Sequence, residues 1–407
     1  MLTDGAPARD ILDFLTGSRC AQVCDAYRHI TSKYGDVLRI QTALRTQFPD
    51  LDAAQIGAVM QQMELRAKAS KRLALHADSL YTRSALEQSS SARTAALHAS
   101  LFDAGSRLVD ICAGIGSDAA ALAARSSQLV AIEADAVTAR LCRHNLSLFG
   151  YTHVLMLAGM AEHWMPSLNL EKVDGVFADP SRRMDGTRCV DPEDASPPLS
   201  WLRALAERVP RMVVKVAPAA DVHDPFWSRM FVAVADECAE QLLVRGGDFP
   251  AVSAVDAGSG VRWAPETRVR QHEQPGHPLT SLLREVRWIA EPHGAIIRTG
   301  EVARYFEDIG MRAVDPQIAY GWSADEPADG RWHVRYRVLD ALLWERRRVR
   351  EALAELRFGP ATVVKKRGFR VNADEARRLL AFPGDRAGVV ILTRIGNEHV
   401  AFLCERI

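Results

Sequence analysis

The stretch that decides the fold is "LVDICAGIGSDAAALAA", Leu108 to Ala124. It opens as a buried apolar run, turns tightly at Gly114 and Gly116, and continues as an alanine-rich helical segment. Further along, short apolar runs alternate with helical ones: "QLVAIEAD", "AVTARLCRHNLSLFG", "THVLMLAG", "VDGVFADP", "SWLRALAERV" and "RMVVKVAP". This alternation predicts βα units on a parallel, doubly wound α/β sheet spanning residues 96–268.

Residues 1–95 read as a helical region. In "LDAAQIGAVMQQMELRAKASKRLALHAD", Ile56, Val59, Met60 and Met63 share one helical face and Asp52 can cap the start. After the sheet, "FVAVADECAEQLLVRGG" can supply a late antiparallel pair. The polar, Gly- and Pro-containing stretch "VDAGSGVRWAPETRVRQHEQPGHPLT" then marks a boundary, and residues 269–407 mix strands and helices as an α+β domain.

A chain of 407 residues exceeds what one core usually holds, so two or three domains are expected. An apolar fraction of 48% excludes a disordered or membrane class, and no run of 18 apolar residues occurs. The start, "MLTDGAPARD", has no basic stretch leading into an apolar one, so a cytoplasmic protein is expected. Lys plus Arg equals Asp plus Glu, 51 against 51, so any attraction to nucleic acid must come from a local patch. Seven scattered cysteines fit reduced thiols. Cys20 and Cys24 have Tyr27 where a CxxxCxxC cluster motif needs its third cysteine, and no metal is expected.

The glycine loop, with Ala119 in third place, also matches the G-x-G-x-x-A fingerprint of dinucleotide binders. Two neighbours shift the reading towards S-adenosylmethionine. Asp110, at the strand's end four residues before Gly114, suits the cofactor's methionine ammonium and would repel a pyrophosphate; alternatively it only caps the following turn. Glu133, ending the next strand, can accept from both ribose hydroxyls. Ala113 and Ala134 flank these positions and complete the expected cofactor set with Gly114 and Gly116.

In "VFADPSRRMDG", Val176 to Gly186, an aspartate and a proline follow a probable strand. Ligands of a doubly wound sheet sit beyond the carboxyl ends of the strands, so Asp179 would face the transferred methyl and Pro180 would fix the turn. Asp179 can accept from an amine or hydroxyl nucleophile and orient it. Arg182 and Arg183 can clamp a phosphate or carboxylate, or pair with the acids of "DPEDASPP". Lys215, at the end of the strand in "VVKVAP", would lie beside Asp179; a desolvated lysine near a sulfonium would have its pKa lowered and could act as a base, or it could simply pair with Asp179 or Asp221.

Taken together, "DICAGIGSDAAALAA", "FADPSRR", "DPEDASPPLSWL", "VVKVAP", "EPHGAIIRTG", "DPQIAYGWSAD" and "VVKKRGF" resemble the class I S-adenosylmethionine-dependent methyltransferases of the bacterial family with a C-terminal THUMP-like domain. The resemblance runs from about residue 50 to the C-terminus. It implies a Rossmann-like cofactor domain and an appended domain associated with RNA. Two departures stand out. Gly159 occupies the place of the family's usual adenine-binding acid, leaving Glu162, a backbone carbonyl or neither to serve; Glu162 also reads as an exposed helix residue. Of the two prolines and aromatic that usually follow the Asp179 position in amino methyltransferases, only Pro180 is present and Ser181 and Arg182 take the other places, so this loop offers no base stacking. Trp164 and Trp201 are alternative stacking surfaces or core residues.

From Arg331 to Arg370 twelve Lys/Arg face four Asp/Glu, interleaved with Trp332, Tyr336 and Trp344. That pattern suits an RNA-backbone footprint or a solvated helix with intrahelical ion pairs. Lys365, Lys366 and Arg367 are the expected phosphate cluster. The resulting expectation is a methyltransferase acting on RNA, tRNA or rRNA, at a base nitrogen in preference to a ribose hydroxyl. The rival readings are a protein or small-molecule acceptor, a non-catalytic RNA-binding protein with a vestigial cofactor fold, and, more remotely, an NAD enzyme.

Overall fold

The computed structural model describes residues 9–181, 183–184, 187–266 and 279–407. Arg182 and the expected boundary at 268/269 lie outside these residues, as does the side chain of Arg183. Two units are formed: one runs to Ser228 and takes in Glu240–Ala251, the other joins Arg229–Ala239 to Val252–Ile407.

The first unit starts with six helices: α1 (Arg9–Leu15), α2 (Ser18–Thr31), α3 (Val37–Gln47), α4 (Ala53–Ala69), α5 (Arg83–Gln88) and α6 (Ala92–Ser100). Asp52 caps α4 in a complete capping box, accepting from the Gln55 N–H at 2.8 Å while Gln55 Oε1 accepts from the Asp52 N–H at 3.0 Å. The helices bury Val23, Leu44, Ile56, Val59 and Leu65 in one core with Ile115 of the glycine loop and Leu141. They are thus packed onto the cofactor-type fold.

There follow β1 (Arg107–Ile111), α7 (Ser117–Ala123), β2 (Gln128–Glu133), α8 (Ala136–Ser147), β3 (Val154–Ala158), α9 (Ala161–Trp164), β4 (Gly175–Ala178), a small hairpin of β5 (Arg183–Met184) and β6 (Thr187–Arg188), α10 (Leu199–Ala206) and β7 (Met212–Val216). After β8 (Ser228–Val234), β9 (Glu237–Arg245) returns antiparallel to β7. The order is β9-β7-β4-β1-β2-β3, with every other pair parallel. The direction of winding reverses between β1 and β4, and at such a switch point a crevice opens above the carboxyl ends.

In the second unit β8 pairs in parallel with β10 (Val252–Asp256), which carries the short antiparallel β11 (Arg262–Trp263). Next come α11 (Leu279–Glu285), β12 (Trp288–Pro292), α12 (Gly294–Thr299), α13 (Val302–Asp308), β13 (Arg312–Asp315), β14 (Ile318–Ser323), β15 (His333–Leu343), α14 (Arg346–Glu355), β16 (Val363–Lys366), α15 (Ala373–Leu380), β17 (Val389–Ile395) and β18 (Glu398–Arg406). Seven of these strands form one sheet, β13-β14-β12-β15-β18-β17-β16. Val349, Leu353, Ala376 and Leu380 of α14 and α15 pack on its Val390, Leu392, Ala401 and Leu403. Among the described residues no helix is long and apolar enough to cross a membrane, and no group of three or more His, Cys, Asp or Glu is arranged to hold a metal ion.

Candidate functional site

At the carboxyl edge of the first sheet lies a cleft of about 460 Å³. Backbone hydrogen bonds align its floor: the Ala113 N–H donates to Ile132 O at 3.0 Å, the Gly159 N–H to Glu133 O at 2.9 Å and the Asp179 N–H to Ile111 O at 3.1 Å. The ends of β1, β2, β3 and β4 are thereby brought level. Gly114, Ala113, Glu133, Ala134, Gly159, Glu162, Asp179, Pro180 and Lys215 line the space, whereas Gly116 shapes the turn from behind it, against Cys142 and Leu146.

Gly116 takes φ +95°, and a Cβ there would meet Cys142 Sγ at 3.1 Å, so the loop requires glycine. Glu133 ends β2 with one oxygen accepting the Gly114 N–H and the other the Asp135 N–H, both at 2.9 Å. Each oxygen keeps acceptor capacity for a hydroxyl. Burial raises the pKa of this carboxyl.

Asp110 sits beneath the floor and not in its lining. It is almost wholly enclosed, neither carboxylate oxygen has a hydrogen-bond partner, and burial pushes its pKa well above the usual carboxylate range. The alternative that it only caps the next turn has no hydrogen bond to support it. Glu162, which also reads as an exposed helix residue, instead turns to the cleft with Oε2 enclosed and without a partner. Gly159 has a local reason: its φ is +132°, and a Cβ would stand 2.9 Å from Trp164 Nε1, whose N–H donates to Ala158 O at 3.0 Å. Trp164 and Trp201 pack against the core, and neither is among the cleft's lining.

At the other end, Lys215 Nζ donates to Asp179 Oδ2 at 2.5 Å and to Ser90 Oγ at 3.2 Å. Pro180 is buried, and Ser181 exchanges two backbone hydrogen bonds with Ser196, each of 3.0 Å, which hold the turn. The expectation that desolvation lowers the Lys215 pKa is corrected here. Burial does disfavour its ammonium, but Asp179, Glu240 and Asp118 outweigh burial and raise the pKa above its ordinary value. The three carboxylates favour the ammonium form of the lysine. Asp179 moves upward through burial, against the pull of Lys215.

Sequence reasoning missed one wall of the cleft. Thr82, Ser84, Ala85, Glu87, Gln88, Ser89 and Ser90 come from the helical region. Buried Gln62 exchanges hydrogen bonds with the Tyr81 backbone, at 2.8 and 2.9 Å. Asn145 of α8 ties the same segment to the glycine loop, accepting from the Leu80 N–H at 2.7 Å and donating to Leu80 O at 3.0 Å and Ile115 O at 2.9 Å. Nothing in a local pattern marks these amides.

The remaining predicted residues lie in the second unit. Lys365 and Arg367 both reach Glu291, at 2.6 and 3.2 Å, and Tyr336 donates to the same carboxylate at 3.0 Å; Lys366 Nζ donates to Phe369 O at 3.4 Å. On α14, Arg348 pairs with Glu345 at 2.8 Å and Arg347 with Glu351 at 3.6 Å, all exposed. Exposed pairs of the α14 kind contribute little to stability.

A switch-point crevice with a glycine turn, an acid closing β2 and an acid after β4 defines the class I S-adenosylmethionine-dependent methyltransferases. Two Mycobacterium tuberculosis proteins, from strains CDC 1551 / Oshkosh and ATCC 25618 / H37Rv, are described as uncharacterized S-adenosylmethionine-dependent methyltransferases; each is 33% identical over 334 residues, 80% of this chain and 88% of the relative. The chain belongs to this S-adenosylmethionine-dependent methyltransferase family. Residues 333–406 match the THUMP domain-like model. A crystal structure from Porphyromonas gingivalis W83, provisionally described as a methyltransferase, shares the fold with a TM-score of 0.72 at 20% identity, covering 88% of this chain and 92% of that one.

The cleft fits S-adenosylmethionine. Glu133 in the lining would hold the ribose, half-buried Glu162, with one enclosed and unpartnered oxygen, would take the adenine amino group, and Asp110, just beneath the floor with both oxygens unpartnered, would serve the ammonium directly or through water. When bound, the cofactor supplies an electrophilic methyl group on a sulfonium. Replacing Glu133 with Ala should weaken its binding by about ten- to a hundredfold, corresponding to about 1.5–3 kcal/mol, measurable by calorimetry. Affinity equal to wild type would remove Glu133 from the ribose.

Proposed function

We propose that this methyltransferase modifies a base nitrogen in RNA, tRNA or rRNA, with Asp179 orienting the acceptor. The observation that carries the reading is the Lys215–Asp179 pair, 2.5 Å apart. A ribose 2′-hydroxyl needs a base strong enough to remove its proton. Lys215, held as an ammonium by three carboxylates, is unsuited to that task. A base N–H has a weaker demand: Asp179 accepts its hydrogen bond, directs the nitrogen lone pair, and takes the proton once the N–C bond has formed.

The charges of the cleft bear on how RNA would be held. Among its described lining residues are five carboxylates, Glu87, Asp118, Glu133, Glu162 and Asp179, and one lysine. A phosphate is repelled there and a neutral base edge is admitted, so backbone contacts belong on other surfaces. In the second unit, Arg346, Arg347 and Arg350 line a shallow groove with Leu380 and Pro383. These arginines, with Lys365, Lys366 and Arg367, are our candidates for phosphate contact; Arg182 and Arg183 remain candidates from the sequence.

The same acidity would also suit an amine of a protein or small metabolite. Two measurements separate these readings. Mass spectrometry of nucleosides from total RNA should show one methylated nucleoside absent from cells lacking the gene and restored by complementation; an unchanged profile sinks the RNA reading. Binding of that RNA should weaken steeply with salt if several phosphates are held, whereas a flat response favours the amine acceptor.

A further inference from the structure

Behind the cleft the first unit buries a chain of charged groups. Lys215 Nζ lies 2.5 Å from Asp179 Oδ2 and 4.0 Å from Glu240 Oε2. Glu240 Oε1 is 2.5 Å from His98 Nε2, and His98 Nδ1 is 2.7 Å from Asp118 Oδ1. Charge alternates along the five groups, which come from α6, α7, β7, β9 and the turn after β4. Both end carboxylates, Asp179 and Asp118, reach the cleft, while His98 is wholly enclosed. The imidazole stacks on Phe177 at 4.8 Å, which offers it no polar alternative.

With a carboxylate on each ring nitrogen, only the imidazolium donates to both; a neutral ring would turn a lone pair on one of the acids. We propose that His98 is a positioning residue for methyl transfer: as an imidazolium it clamps Glu240, Glu240 and Ser90 steady Lys215, and Lys215 fixes Asp179 with one carboxylate oxygen left for the acceptor. The proposal rests on the acceptor-orienting role of Asp179 given above. Without the imidazolium, three buried carboxylates compete for one ammonium and Lys215 is drawn away from Asp179. Burial opposes a charge on the ring, but Glu240 and Asp118 outweigh it and push the His98 pKa up to about 10. The same histidine helps hold Asp118 and Glu240 below the usual range, against their burial. Asp110, on β1, also faces the cluster and is raised by burial and by Asp118 and Asp179.

The experiment follows the histidine ring nitrogens of the 15N-labelled full chain from pH 6 to 10.5. One ring is expected to stay doubly protonated beyond pH 9, and Asp179→Asn should lower its midpoint by about one unit, because Lys215 released from Asp179 turns to Glu240 and loosens its grip on the ring. No ring still charged at pH 8, or a midpoint unmoved in Asp179→Asn, overturns the proposal. His98→Gln should keep its cofactor affinity within about threefold while the RNA methylation is lost; methylation at wild-type level overturns it too. Should His98→Gln not fold, the titrations of wild type and Asp179→Asn decide alone. They need no acceptor, so a failure of the RNA reading leaves them interpretable.

Discussion

Asp179→Asn is expected to lower kcat by about 10²- to 10⁴-fold while leaving cofactor affinity within about threefold. The substitution keeps the shape of the turn after β4, where the backbone N–H is held by Ile111 and Pro180 is buried. It removes the charge that Lys215 meets at 2.5 Å at the cleft. An amide can still accept a hydrogen bond but cannot take the proton from the methylated acceptor. The pH profile gives a second check. Burial raises the Asp179 pKa, and the reaction needs its ionised form, so wild-type activity should fall as pH drops through that raised pKa. The variant should lose this acid limb. Transfer of labelled methyl groups into RNA from cells lacking the gene provides both readouts. A variant retaining a third or more of the wild-type kcat would move the acceptor away from Asp179.

The parts of this site that could be read from the sequence are those carried by a few adjacent residues. Gly114 and Gly116 sit in left-handed backbone, and β1, β2 and β4 end where the apolar runs predict, because strand–turn–helix patterns are local. What was not legible is set by contacts far apart in the chain. His98 and Glu240 are 142 residues apart, and no pattern around either announces their pairing. The charge of Lys215 shows the same limit: desolvation alone argues for a neutral amine, and only three carboxylates from separate elements reverse it. The helical region was legible as helices but not as a cleft wall, since its anchoring depends on buried Gln62 and Asn145. Gly159 looked like a missing acid, and its reason lies in the indole five residues on.

Asp110→Asn should act in opposite directions on cofactor binding and on folding. In the ligand-free protein the carboxyl is enclosed without a partner, so its ionisation opposes folding. Because the folded pKa lies above the unfolded one, this group's stabilising contribution is complete below the unfolded value and is lost as pH rises through the folded value. Removing the acid should therefore leave stability near pH 4 little changed and increase it at neutral and alkaline pH by about 1–3 kcal/mol, visible as a higher Tm. Binding should respond in the other sense. The cofactor's ammonium would lose the counter-charge proposed for it, and breaking a buried pair costs about 3–5 kcal/mol, or two to nearly four orders of magnitude in affinity. Ionisation of Asp110 on binding also requires a proton to leave. Calorimetry in buffers of different ionisation enthalpy should thus detect proton release with wild type and a smaller release with Asp110→Asn. Affinity should climb with pH in wild type and lose that climb in the variant. A variant that binds the cofactor normally, or that is less stable than wild type at pH 8, would contradict a carboxylate kept unpaired for its ligand.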